Sequence, residues 1–281
     1  MRGFGACFRA ELSDLLRHPL AWLAAAATAI TAIAVGLSPT TNDHNGWLVY
    51  EAALSASALA AGFFLLGIAA GSIASDRTRG TIRWIMPRPI ARSGYVLGKS
   101  AAILLLAVGL LVVAAGSSYL VAAPRGFDDV TAMSSDDDEA GGGFDFVEEE
   151  TIPPEFQADA MRGYAFGVTL RALPALWVLA AIGLFVSAIM RSAAGAVIAA
   201  IGCALPLQFL PELFGLSTDS ARILPQRAAT DAFAQLAEYG QRHAGEPWHE
   251  YTMGAGMGAL ALCIGLPLLA ALIFQRLDLT D

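Results

Sequence analysis

The stretch Ser93-Gly94-Tyr95-Val96-Leu97-Gly98-Lys99-Ser100 has the outline of a phosphate-binding loop. That chemistry needs a glycine, four residues and then Gly-Lys-Ser/Thr, so that backbone amides cradle the phosphates while the lysine reaches them. Gly94 lies one residue too close, and Ser93 holds the place of the first glycine. The stretch also enters an apolar run instead of joining a buried strand to a soluble helix, so ATP binding by this chain is rejected. Asp136 to Glu148 invites a calcium reading, but Ala140 and Val147 stand at the fifth and twelfth loop positions, where an EF-hand needs oxygen ligands. His243 and His249, with Glu246 and Glu250 nearby, lack the His-Glu-x-x-His spacing of a zinc helix. Cys7, Cys203 and Cys263 are too far apart for a metal knuckle and odd in number for a disulfide framework. No Ser–His–Asp or Cys–His set falls on one predicted face. The chain is therefore expected to carry no catalytic, cofactor-binding or metal-binding residues, and not to be an enzyme.

What the chain does concentrate is an ordered series between Asp76 and Lys99. Asp76 closes an apolar run, Gly80-Thr81 follow, and Ile82, Trp84, Ile85 and Met86 give a short amphipathic stretch that carries Arg83. Pro87 and Pro89 break it, and Arg92 and Gly98-Lys99 lead into the next apolar run. A basic loop by itself would hold topology and touch anionic headgroups. Neither task needs acid, Gly-Thr, apolar face, proline and Gly-Lys in that order. A short helix projecting between two membrane spans is a handle that a partner protein can push.

The elements that must hold this series are membrane helices. Of 281 residues 56% are hydrophobic and only 15% charged, against about 25% charged in soluble domains. A bilayer core takes about 20 apolar residues per helix, and six runs qualify: 19–37, 52–75, 100–123, 172–190, 192–210 and 251–274. The fold class expected is all-α integral membrane, a single transmembrane domain over 1–281. Residues 1–18 place Phe4, Phe8, Leu12 and Leu15-Leu16 at helical spacing, with Arg9, Glu11, Asp14 and Arg17 elsewhere, which suits a helix lying in the interface. Pro174, Pro206 and Pro267 stand where they could break helices. Gly67-x-x-x-Gly71 and Gly254-x-x-x-Gly258 have the spacing that lets helices approach closely.

Charge sets the orientation. With both termini in the cytoplasm, the inside segments hold 11 of the 17 basic residues against five acids, a net of +6, and the outside segments net −14. This follows the positive-inside bias and makes 76–99 a cytoplasmic loop. The overall charge of −8 argues against nucleic acid as a partner. Residues 124–163 form an acidic outer loop, in which dense like charge and glycine bury too little apolar area to order the chain. Residues 211–250 are expected to hold one or two short helices at the outer surface, one of them capped by Thr230 or Asp231 and carrying Phe233, Leu236, Ala237 and Tyr239. Glu51 and Arg171 lie near the outer ends of spans, where anchoring is expected before any gate contact.

At Asp76, Gly80-Thr81, Pro89, Arg92 and Gly98-Lys99 the chain resembles the ABC type-2 permeases, the membrane subunits of a large class of ABC exporters. Met86-Pro87 adds a second proline to the pattern. The resemblance extends to Arg9-Ala10-Glu11-Leu12, Leu16-Arg17, the six spans and the Arg276-Leu277-Asp278 tail. It implies that a coupling helix within 76–99 docks on a separate ATP-binding subunit, which holds ATP and magnesium. Asp76, Gly80, Thr81, Arg83, Trp84, Pro89, Arg92 and Lys99 would then serve coupling and loop geometry. It also implies a second permease subunit, identical or related, and residence in the plasma membrane. Two other readings stay open: an ion-driven secondary transporter, or a non-transporting maturation factor or anchor with the same fold. Nothing in the apolar spans selects a substrate.

Overall fold

The computed structural model describes residues 4–38, 45–80, 92–127, 157–213, 224–241 and 253–276. Among them only helices occur. They are α1 (Phe4–Arg17), α2 (Pro19–Gly36), α3 (Gly46–Thr78), α4 (Arg92–Ala122) with a 3-10 turn at Ala123–Arg125, α5 (Ala158–Ile189), α6 (Ala193–Leu213), α7 (Pro225–Gly240) and α8 (Met253–Arg276). Four stretches are long and apolar enough to cross a membrane: Pro19–Gly36, Gly46–Thr78, Arg92–Arg125 and Ala158–Ile189. Ala193–Pro206 and Leu260–Arg276 are shorter apolar helices. The chain is a multi-pass membrane protein.

Local chemistry explains the helix ends. His18-Pro19 separates α1 from α2, because a residue before proline avoids the helical region and proline suits the first helical turn. His18 Nδ1 then accepts the Leu20 N–H at 3.2 Å. Asn45 caps α3 by accepting from Leu48 N–H at 3.1 Å, and its amide donates to Gly240 O at 2.9 Å, which ties the end of α7 to the start of α3. At the other end of α3 the chain leaves the helix through Gly80 at φ +70°, the left-handed conformation that favours glycine. Of the segment read as a loop, Asp76–Thr78 and Arg92–Lys99 are helical turns that prolong α3 and begin α4.

The apolar helices run alternately between two poles. One pole carries α1, the end of α3 and the start of α4; the opposite pole carries α7. α3 is the centre of the bundle and packs on α2, α4, α5, α6 and α7, while α8 packs on α5 and α4. The core is rich in alanine: Ala61, Ala69, Ala70, Ala74, Ala180 and Ala188 are fully buried. Small residues let backbones approach, the main source of packing energy where lipid is already as apolar as leucine. A close backbone approach between α3 and α5 is at Gly183, where an added Cβ would meet Leu66 O and Ala69 Cβ at 2.8 Å. One turn on, Ser187 Oγ accepts the N–H groups of Ile73 at 3.0 Å and Ala74 at 2.9 Å. Gly67 and Gly71, whose spacing suggested such a contact, have nothing within 4 Å of an added Cβ. The helix contact is made by Ala69 and Ala70 instead. The helices continue through Pro174 and Pro267, and Pro206 likewise lies inside α6.

Two amphipathic helices pack on the bundle, and one of them starts elsewhere than expected. α1 turns Phe4, Cys7, Phe8, Leu12 and Leu15 toward the bundle and leaves Leu16 exposed. Gly98 of α4 makes room for it, since a Cβ there would stand 2.9 Å from Cys7 Cβ and 3.1 Å from Phe8 N. α7 begins at Pro225, well before the caps expected at Thr230 or Asp231. Proline supplies the first helical φ, and the Thr230 hydroxyl donates back to Gln226 O at 3.0 Å instead of capping. Leu236 and Tyr239 are buried as expected.

Candidate functional site

Three elements converge at the α1 pole on one buried ammonium. Tyr95 and Lys99 are four residues apart on α4 and so share a face. Lys99 is 6% exposed, with its Nζ 2.6 Å from Glu11 Oε2 of α1 and 3.0 Å from Asp76 Oδ2 of α3. Tyr95 donates its hydroxyl to Asp76 Oδ2 at 2.5 Å and stacks on Phe274 of α8, ring centroids 5.8 Å apart. The Lys99 ammonium lies 5.4 Å from the Tyr95 ring centroid. Two carboxylates, one ammonium and one phenol thus close a polar knot between α1, α3 and α4, with α8 against it.

Arginines at both ends of the α3–α4 connection reach other helices. Arg77 donates to Ala188 O at 2.7 Å, Met190 O at 3.3 Å and Ile189 O at 3.4 Å, so its guanidinium caps the unsatisfied carbonyls ending α5. Its Cζ lies 5.1 Å from the Phe274 ring centroid. Thr78 donates to Arg191 O at 3.4 Å, and Arg92 donates to Gln275 O at 3.2 Å, near the end of α8. The connection is therefore pinned to α5 at its start and to α8 at its finish. Arg77→Leu is expected to lower stability by about 0.5–2 kcal/mol, since it removes a charged helix-end cap of which one carbonyl, Ala188 O, is part-buried. Thermal unfolding of the purified protein in mild detergent checks this, and a melt equal to wild type would refute the cap.

Of the residues expected to act in coupling, Asp76 and Lys99 meet in the knot, Gly80 forms the left-handed exit, and Arg92 holds α8. Thr81, Arg83, Trp84 and Pro89, and with them the expected short helix, lie outside the described residues. So do the acidic run and His243 and His249 of the outer loops. Sequence reasoning missed Glu11, Arg77 and Tyr95. Glu11 had a visible signal: with Phe4, Phe8 and Leu15 it falls on a single α1 face, and an acid within an apolar stripe needs a buried partner. Tyr95 could have been found from its i,i+4 relation to the chain's one lysine. Arg77 had no such signal, because its partners are carbonyls more than 110 residues away.

Burial pushes the Cys7 thiol above its ordinary range and outweighs the opposing pull of Lys99, so the group stays a neutral thiol instead of a nucleophilic thiolate. Among the described residues no group of three or more His, Cys, Asp or Glu could hold a metal. Short polar contacts tie the α3–α4 connection to α1, α5 and α8 together. A family model described as "ABC-2 family transporter protein" matches residues 8–279. No curated protein matches the chain.

Proposed function

The chain belongs to the ABC-2 family of transporter proteins, and from that premise we propose that it is the permease subunit of an ATP-driven exporter. A separate ATP-binding subunit carries ATP and magnesium, and this chain has no catalytic residues. α2, α3, α4, α5, α6 and α8 are the six spans. The α1 pole faces the cytoplasm, where the charge excess of +6 lies, and both termini are on that side of the plasma membrane. Thr81, Arg83, Trp84 and Pro89 belong to a coupling helix that docks on the ATPase, and a second permease copy, identical or related, completes the pathway.

The observation that carries this reading is the pinning of the α3–α4 connection at both ends. A loop that only joined two spans would need no buried lysine–carboxylate knot and no arginine contacts to α5 and α8. Pinned in this way, the connection can pass closure of an ATPase dimer to α1, α5 and α8 at once, a rigid displacement of a packed bundle. The helices continue through Pro174, Pro206 and Pro267, which argues against the broken-helix ion sites of secondary transporters.

The test is a nanodisc pulldown from the native host, followed by mass spectrometry and an ATPase assay. A stoichiometric ATP-binding subunit is expected, lost when residues 77–92 are replaced. Recovery of this chain without an ATPase would overturn the reading. Arg83→Glu, which reverses a docking charge and replaces attraction by repulsion, or Arg92→Glu, which breaks the hold on α8, should reduce permease-stimulated ATPase activity about tenfold or more while leaving membrane insertion intact. Unchanged stimulation in both variants would remove the loop from coupling.

A further inference from the structure

Near the opposite pole, between α3, α5 and α7, lies a cavity of about 500 Å³. Its wall is mostly apolar, with Leu176 of α5 and Phe233 of α7, and its polar groups are Glu51 and Ser55 of α3 and Gln226 and Thr230 of α7. Two of these are already engaged: Ser55 donates to Ala52 O at 3.1 Å and Thr230 to Gln226 O at 3.0 Å. The Gln226 side-chain oxygen and nitrogen are buried and have no hydrogen-bond partner. Glu51 has the Ser55 hydroxyl beside it, and no basic side chain lines the cavity.

We propose that this cavity binds an amphiphilic organic cation, with its charge against Glu51 and its apolar body between Leu176 and Phe233. A carboxylate facing an apolar cavity has lost part of its hydration without gaining an ion pair, and a cation restores the balance. A small, strongly hydrated metal ion would need several charged oxygen ligands, and Glu51 is the one carboxylate among the residues that line the cavity. A cation whose charge is spread over an apolar body loses little on leaving water and fills the remaining volume. The cavity falls in the size range of sites for drug-sized ligands. Phe233 can present its ring face to the charge, and the Gln226 amide offers an unused carbonyl acceptor.

Binding by the isolated chain does not depend on the permease reading, and the test needs no ATPase. The full-length protein in dodecyl maltoside is titrated calorimetrically with tetraphenylphosphonium and with tetraphenylborate, an anion of nearly the same shape. One phosphonium per chain is expected, bound at least tenfold more tightly than the borate. Glu51→Gln should weaken phosphonium binding at least tenfold, Glu51→Asp should keep it within about threefold, and Leu176→Trp should weaken it by narrowing the space beside Phe233. Equal affinity for the two ions would overturn the proposal. So would unchanged phosphonium binding in Glu51→Gln with the fold intact by thermal melt, or in Leu176→Trp.

Discussion

Lys99→Met is expected to destabilise the protein by about 3–5 kcal/mol, the usual cost of removing one member of a buried ionic group. The methionine fills much of the space but leaves Glu11 and Asp76 facing each other without their shared ammonium. Total stabilities are only about 5–15 kcal/mol, so a large drop in melting temperature and low recovery from the membrane should follow. Little of the loss should depend on salt, because a buried ion pair is poorly screened. The sharper measurement is the triple variant Glu11→Gln, Asp76→Asn, Lys99→Met. Neutralising all three members removes the uncompensated charge, and most of the stability should return. If the knot serves coupling, stimulated ATPase activity should stay low in that stable triple variant. A single Lys99→Met variant that melts like wild type would show that the knot holds nothing together.

Gly183→Val should separate α3 from α5 and cost about 1–3 kcal/mol or more, as overpacking does in a close-packed core. The atoms an added Cβ would meet are the Leu66 carbonyl oxygen and Ala69 Cβ at 2.8 Å and the Ala70 nitrogen at 3.0 Å. These are backbone and stub groups that no rotamer change can withdraw. Separation of the helices would also stretch the two N–H contacts to Ser187 Oγ. Gly62→Ala is the comparison, because its nearest neighbour is the terminal Leu179 Cδ1, also at 2.8 Å, which can swing away. Gly67→Ala and Gly71→Ala meet nothing within 4 Å and should be neutral or slightly stabilising, since alanine is the better helix former. Unfolding of the four variants in one detergent gives the ranking. A Gly183→Val protein as stable as Gly67→Ala would refute the close crossing.

The two effects meet at the α1 pole. Gly183, Ser187 and the carbonyls held by Arg77 lie along the last two turns of α5, so the crossing and the arginine cap act on the same stretch of helix. Loosening either should weaken the hold on the α3–α4 connection.

The sequence by itself determined the class of protein, the four long apolar helices, the segregation of charge and the residues that mark the α3–α4 connection. Lipid makes this possible: each apolar run is judged against the same solvent, so hydropathy over about 20 residues decides a helix without reference to its neighbours. Gly80 was legible for a similar local reason, since a left-handed helix exit asks for glycine wherever the bundle lies. Only the tertiary structure decided what Lys99 faces. Its partner Glu11 is 88 positions away, and whether they meet depends on how α1 crosses α4 over Gly98. The same holds for Gly183, whose role depends on α3 presenting Ala69 and Ala70 instead of Gly67 and Gly71. It holds again for α7, where the hydroxyl of Thr230 turned back into a helix already begun at Pro225. Helix rotation and crossing angle are set by the packing of all the helices together, and a single stretch of sequence carries no record of them.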